Sequence, residues 1–165
     1  MFELKLLSRE AIPAALEKVE RYRLLNEPQG AESICRDILR TEPENQEALV
    51  ALVLSLSDQL GKGHGVVVNN IIEVLSGISN EYQRIYYEGI TYERQAKATI
   101  ENGGPGSPHR AYNWFRQAME CYEQAEEIHP SGIEDTSLRW NACARSIMDN
   151  NLQPLGDDSP ELPLE

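Results

Sequence analysis

Basic residues are scarce in this chain. Fifteen Lys and Arg stand against 27 Asp and Glu, a formal net charge of −12 at pH 7. A surface of that sign repels phosphate backbones, and its bases are dispersed among acids, as in Glu17-Lys18-Val19-Glu20-Arg21, so no nucleic-acid partner is expected. Cysteine is scarce too. Cys35, Cys121 and Cys143 are odd in number, far apart and set within helical patterns, which predicts reduced thiols in a cytoplasmic protein rather than a disulfide framework. No pair has CxxC spacing and no histidine stands at ligand spacing from a cysteine, so neither a metal nor another cofactor is expected. Long apolar runs are missing. The longest, from Ala48 to Leu56, is interrupted by Ser55 and falls short of the roughly 20 residues that a membrane span requires. The first residues, Met1 to Ser8, lack the apolar stretch of a secretory signal. No membrane association is expected. What remains, 41% hydrophobic and 25% charged residues, is the composition of a globular domain.

The hydrophobic residues recur mostly at helical spacing. Ser8 is placed to cap a first helix, with Ile12, Ala15, Leu16, Val19, Tyr22 and Leu25 on one stripe. Asn26 to Gly30 reads as a turn, and a second helix through Ala31, Ile34, Cys35, Ile38 and Leu39 stops at Pro43. From Glu44 to Leu60 the pattern is apolar nearly all round, which predicts a helix covered on every side at the centre of the fold. Gly61-Lys-Gly-His-Gly65 ends it, and a partner helix is expected over 66–78. A longer helix follows from about Glu81 to Ile100. The breaker Asn102-Gly-Gly-Pro-Gly-Ser-Pro108 separates it from one carrying Ala111, Trp114, Phe115, Ala118, Met119, Tyr122, Ala125 and Ile128. A last helix spans about Asp135 to Asn150. Residues 1–150 are expected to form one all-α domain of three helical hairpins and a closing helix. Residues 151–165, acidic and rich in proline, are expected to be a disordered tail, whose Leu152, Leu155, Leu162 and Leu164 are spaced to occupy a groove.

The run Ala118-x3-Tyr122-x2-Ala125-x4-Pro130 resembles the second helix of a tetratricopeptide repeat, where small residues admit a neighbouring helix, an aromatic fills the gap and a proline stops the chain. Gly89-x-x-Tyr92 is similar to the Gly-x-x-Tyr element of that family's first helix. Tyr22, Ala31 and Pro43 match single positions of the first hairpin, and Val67, Ile71 and Val74 are a weaker middle match. The family's tryptophan is absent from all three hairpins, and 17 extra residues separate Tyr92 from Ala118. The resemblance implies a right-handed superhelix whose inner groove is lined by the first helix of each hairpin. Carried onto this chain, the groove positions are Leu16, Glu20 and Arg23, then Val50, Leu54 and Ser57, then Tyr86, Ile90 and Glu93, with Arg139 from the closing helix. Leu16, Val50, Leu54 and Ile90 equally suit a packed core. Tyr86 is the strongest groove candidate, offering rigid apolar area and a polar tip.

The resemblance implies a non-enzymatic adaptor or scaffold that holds a protein or peptide segment in its groove. A small acidic repeat-type chaperone with a dedicated client, and a structural subunit that self-associates into a homodimer, are the alternatives. Glu20 and Leu54 stand where the carboxylate-gripping members of the family need donors, so that activity is not expected. The glycine turn at 61–65 lacks the phosphate-loop sequence and follows a helix rather than a strand. Cys121 and Cys143 lie in apolar stripes, and His129, next to Pro130, suits a helix C-terminus better than catalysis. Glu123, Glu126 and Glu127 form a solvated face rather than an acid–base pair.

Overall fold

The computed structural model describes residues 1–128 and 134–156. Pro130 and His129 lie outside them, as do Leu162 and Leu164 of the tail. The described residues form seven α-helices: α1 (Ile12–Leu24), α2 (Pro28–Thr41), α3 (Gln46–Ser57), α4 (Val68–Leu75), α5 (Glu81–Asn102), α6 (Ser107–Ile128) and α7 (Asp135–Asp149). No strand occurs among them. No helix is long and apolar enough to cross a membrane.

Local chemistry explains where the helices begin and end. Ser8 is extended (φ −74°, ψ 152°) and makes no capping bond through its side chain. A single 3₁₀ turn, Arg9–Ala11, leads instead into α1, with Pro13 in its first turn. The turn expected over 26–30 is shorter. Asn26 adopts the left-handed conformation at φ 59°, and the bonds Glu27 N–H to Tyr22 C=O (2.8 Å) and Asn26 N–H to Arg23 C=O (3.0 Å) close a Schellman motif. Pro28 then opens α2, so Gly30 is helical. Asn45 and Asn80 cap α3 and α5 by accepting from the amides of Ala48 and Gln83, each at 2.9 Å. The expected helix over 66–78 is shorter, because the Asn70 side chain accepts from the Val67 amide (2.8 Å) and fixes the start of α4.

Each helix packs on the next along the chain, and α3 also touches α1 and α5. Two apolar clusters result. One joins α1–α4 through Ile12, Val19, Ile38, Leu52, Val53, Leu56 and Ile71. The other joins α5–α7 through Ile90, Phe115, Met119, Tyr122 and Cys143. α3, expected to be covered on every side, is buried at Leu49, Leu52, Val53, Ser55 and Leu56 but only half-buried at Val50, Ala51 and Leu54, which turn to an open face. The end of α7 departs from the expected tail. Asn151 is left-handed (φ 51°), the Leu152 amide bonds back to Ile147 C=O at 2.9 Å, and the Leu152 side chain is buried in the second cluster. This is again a Schellman closure, with Leu152 as its apolar seal.

Candidate functional site

A groove of about 1050 Å³ lies between α1, α3 and the start of α5. Its floor is apolar: Ile12, Leu16, Val50, Ala51 and Leu54, with Tyr87 at one side. Its rim is acidic, with Glu17 and Glu20 on α1 and Glu42 and Glu47 around the start of α3, against Arg9 and Arg23. The elements put these residues there for simple reasons. Leu16 and Glu20 are four apart on α1, and Val50 and Leu54 four apart on α3, so each pair shares a helix face. The Gln46 side chain bonds to Gly77 C=O (3.2 Å) and accepts from the Ser79 amide (2.9 Å), tying the start of α3 to the approach to α5.

Asp58, just past α3, holds the far end. It accepts from Arg23 Nε of α1 (2.9 Å) and from Arg94 Nη1 of α5 (2.5 Å). Arg94 Nη1 also donates to Ser57 Oγ (2.7 Å) and to Leu54 C=O (3.3 Å). Burial lowers the pKa of Arg94, and the Asp58 carboxylate acts against that fall.

Five of the predicted groove residues therefore meet here: Leu16, Glu20, Arg23, Val50 and Leu54. The other five stand elsewhere. Ser57 is buried beneath Arg94. Tyr86 packs its ring against Tyr122 (5.9 Å) and Tyr87 (5.3 Å), between helices rather than in the groove. Ile90 and Glu93 are buried at the α5–α6–α7 junction, and Arg139 bonds to Glu93 there. On α5 the groove faces are Gln83 and Tyr87. One residue is 100° of helix, and the predicted stripe was displaced by about that rotation.

Close packing sets the rotation of α5. A Cβ on Gly89 would lie 2.6 Å from Tyr122 Cε1 and 3.1 Å from Cys121 Cβ, so this face of α5 is pressed on α6. Ala118, Tyr122 and Ala125 are completely buried in that contact. Tyr92 stacks on Trp114 at 5.7 Å and donates to Glu88 at 2.7 Å. In the first hairpin Tyr22 lies against Gly30 and Ala31 is fully buried, while Pro43 follows the end of α2 and is exposed.

The chain matches no protein-family model, no curated protein and no solved structure.

The chemistry of the remaining ionisable groups is that of a packed interior. The Glu93 carboxylate, 1% exposed, accepts from Tyr122 Oη (3.2 Å), Cys143 Sγ (3.3 Å), Lys97 Nζ (3.2 Å) and Arg139 Nη1 (3.2 Å). Each Glu93 oxygen has two donors, which satisfies a charge taken out of water. Burial and the adjacent Glu93 charge push the Tyr122 and Cys143 pKa values upward. Burial pushes Cys35 and Cys121 up to about 12, so both remain thiols at neutral pH. Among the described residues no three His, Cys, Asp or Glu side chains converge as metal ligands.

Proposed function

We propose that this chain is a non-enzymatic protein-interaction module, and that the α1–α3–α5 groove receives an amphipathic peptide segment bearing basic residues. The reading rests on one observation: an apolar floor bounded by Glu17, Glu20, Glu42 and Glu47, in a chain of net charge −12. Apolar side chains of the ligand would be desolvated on Leu16, Val50 and Leu54, while Lys or Arg flanks meet the acids and favour encounter. Degenerate tetratricopeptide repeats stacked in a right-handed superhelix are the architecture we propose for it. That view is supported by the consecutive packing of helices and by the α1–α3 and α3–α5 contacts along one side.

Selection of a random peptide library on the immobilised protein tests this. Amphipathic, Lys- or Arg-containing sequences are the expected winners. The variant Glu17→Lys/Glu20→Lys/Glu47→Lys alters three exposed side chains. It should keep the wild-type melting temperature and bind the winners about tenfold or more weakly. Winners that bind both proteins equally, or no enrichment at all, would remove the groove from consideration.

A further inference from the structure

The segment before α1 is the least buried apolar stretch of the described chain. Phe2, Leu4 and Leu6 are 99%, 69% and 73% exposed, alternating with Glu3 and Lys5. No backbone hydrogen bond joins residues 2–6 to the rest of the described molecule. The exit of this arm is nevertheless held, since Thr41 Oγ1 donates to Leu7 C=O at 2.6 Å and the Leu7 side chain packs on the first core.

Leu7 also lines the end of a second groove, of about 630 Å³, on the outer side of α1 and α2. Ala11, Ala15, Tyr22, Gly30 and Ile34 give it a floor of small and apolar residues. Lys18 stands on its α1 wall, and Asp37 on its α2 wall with Glu27 just before that helix. Among the described residues the lining of this groove comes only from α1, α2 and the segments next to them, and the main onward packing of both helices is against α3. Stacked helical hairpins require a polar cap at such an end. Here the end is half apolar, and an apolar arm starts beside it.

We propose that the arm, Phe2–Leu6, docks in the α1–α2 outer groove of a second copy of this chain, each copy giving its arm and receiving the other's. Three observations favour a second copy over an unrelated partner. Ridge and groove sit side by side on one surface, the self-complementary arrangement that a two-fold interface needs. The charges are compatible, because the arm carries one acid and one base, Glu3 and Lys5, and the groove walls carry Lys18, Glu27 and Asp37 for them to meet. The size is also right: two arms of one Phe and two Leu, with the floors they cover, bury on the order of 1,500 Å², within the range of stable interfaces.

The test uses the whole chain and two variants at exposed positions, so folding is not at stake. Leu4→Asp spoils the arm and leaves the groove, while Ala14→Glu spoils the groove and leaves the arm. Sedimentation equilibrium should find wild type dimeric at micromolar concentration, and each variant about tenfold or more weaker in self-association with unchanged circular dichroism. An equimolar mixture of the variants should associate more strongly than either alone, because one intact arm then meets one intact groove. A wild type that stays monomeric, variants that dimerise normally, or a mixture that gains nothing would each overturn the proposal. So would a monomeric wild type whose melting temperature falls on Leu4→Asp, which would place the arm in its own groove.

Discussion

Two glycines in helices show how local geometry decides opposite outcomes for the same change. At Gly30 an added Cβ would meet the Tyr22 ring at 3.7 Å, an ordinary contact, so Gly30→Ala removes backbone entropy from the unfolded chain without a steric cost. At Gly89 the new Cβ would sit 2.6 Å from Tyr122 Cε1. Tyr122 has no room to retreat, being fully buried with its hydroxyl on Glu93. The overpacking cost outweighs the gain of about 1 kcal/mol in helix propensity. Gly89→Ala should lower unfolding stability by about 2 kcal/mol and Gly30→Ala raise it by about 0.5 kcal/mol, read from urea melts of the two variants. Equal effects would mean that α5 and α6 are not held at this separation. The Gly89-x-x-Tyr92 spacing stands out in the sequence only through its likeness to a repeat element, and the close approach that Gly89 permits is visible once α6 packs on it.

Among the elements, α5 separates what periodicity can reveal from what it cannot. Its existence and approximate length followed from the apolar pattern, as did those of α6, whereas α3 is shorter at both ends than the apolar run from Glu44 to Leu60. The rotation of α5 did not follow from that pattern. Tyr82, Tyr86, Tyr87, Ile90 and Tyr92 encircle much of the helix, so no single apolar stripe selects the face turned to the groove. Gly89 selects it, by pressing on α6. The Schellman closures were readable in principle, since Asn26 and Asn151 follow amphipathic helices, yet Leu152 reads as tail in the sequence because residues 152–165 carry three prolines and four acids with no base. The Asp58 bridge had no sequence signal, since Arg23, Asp58 and Arg94 come together only after three helices pack. These side chains are about a quarter exposed, so solvent screens part of their attraction. Asp58→Ala still leaves two guanidinium groups facing each other and should cost about 2 kcal/mol. A double-mutant cycle with Arg23→Ala in urea melts should return a coupling of at least about 0.5 kcal/mol, and additive losses would deny that Asp58 links α1 to α5.

At the scale of the whole molecule, the three cysteines report on both cores at once. Cys35 lies in the α1–α4 cluster and Cys143 in the α5–α7 cluster, with exposures of 0% and 1%. Their pKa values are raised in the folded state, as is that of Cys121, first by burial. The sign follows directly. Below pH 9 the thiols are protonated whether folded or unfolded, and they contribute their full stability. As pH rises past 9 the unfolded chain loses these protons while the native chain keeps them, so stability declines until the folded pKa is reached, about 12 for Cys35. For a single thiol that decline is about 2 kcal/mol by about pH 10.5. Other groups titrate in the same window, so the comparison is with Cys35→Ala. At pH 8 wild type should be the more stable, because Cys35 fills its site completely. Between pH 8 and about 10.5 the gap between the two urea midpoints should close or reverse, since the variant has no thiol at this site to ionise on unfolding. A gap that stays constant would mean that water reaches Cys35 in the native state, and that the α1–α4 core opens more readily than its packing implies.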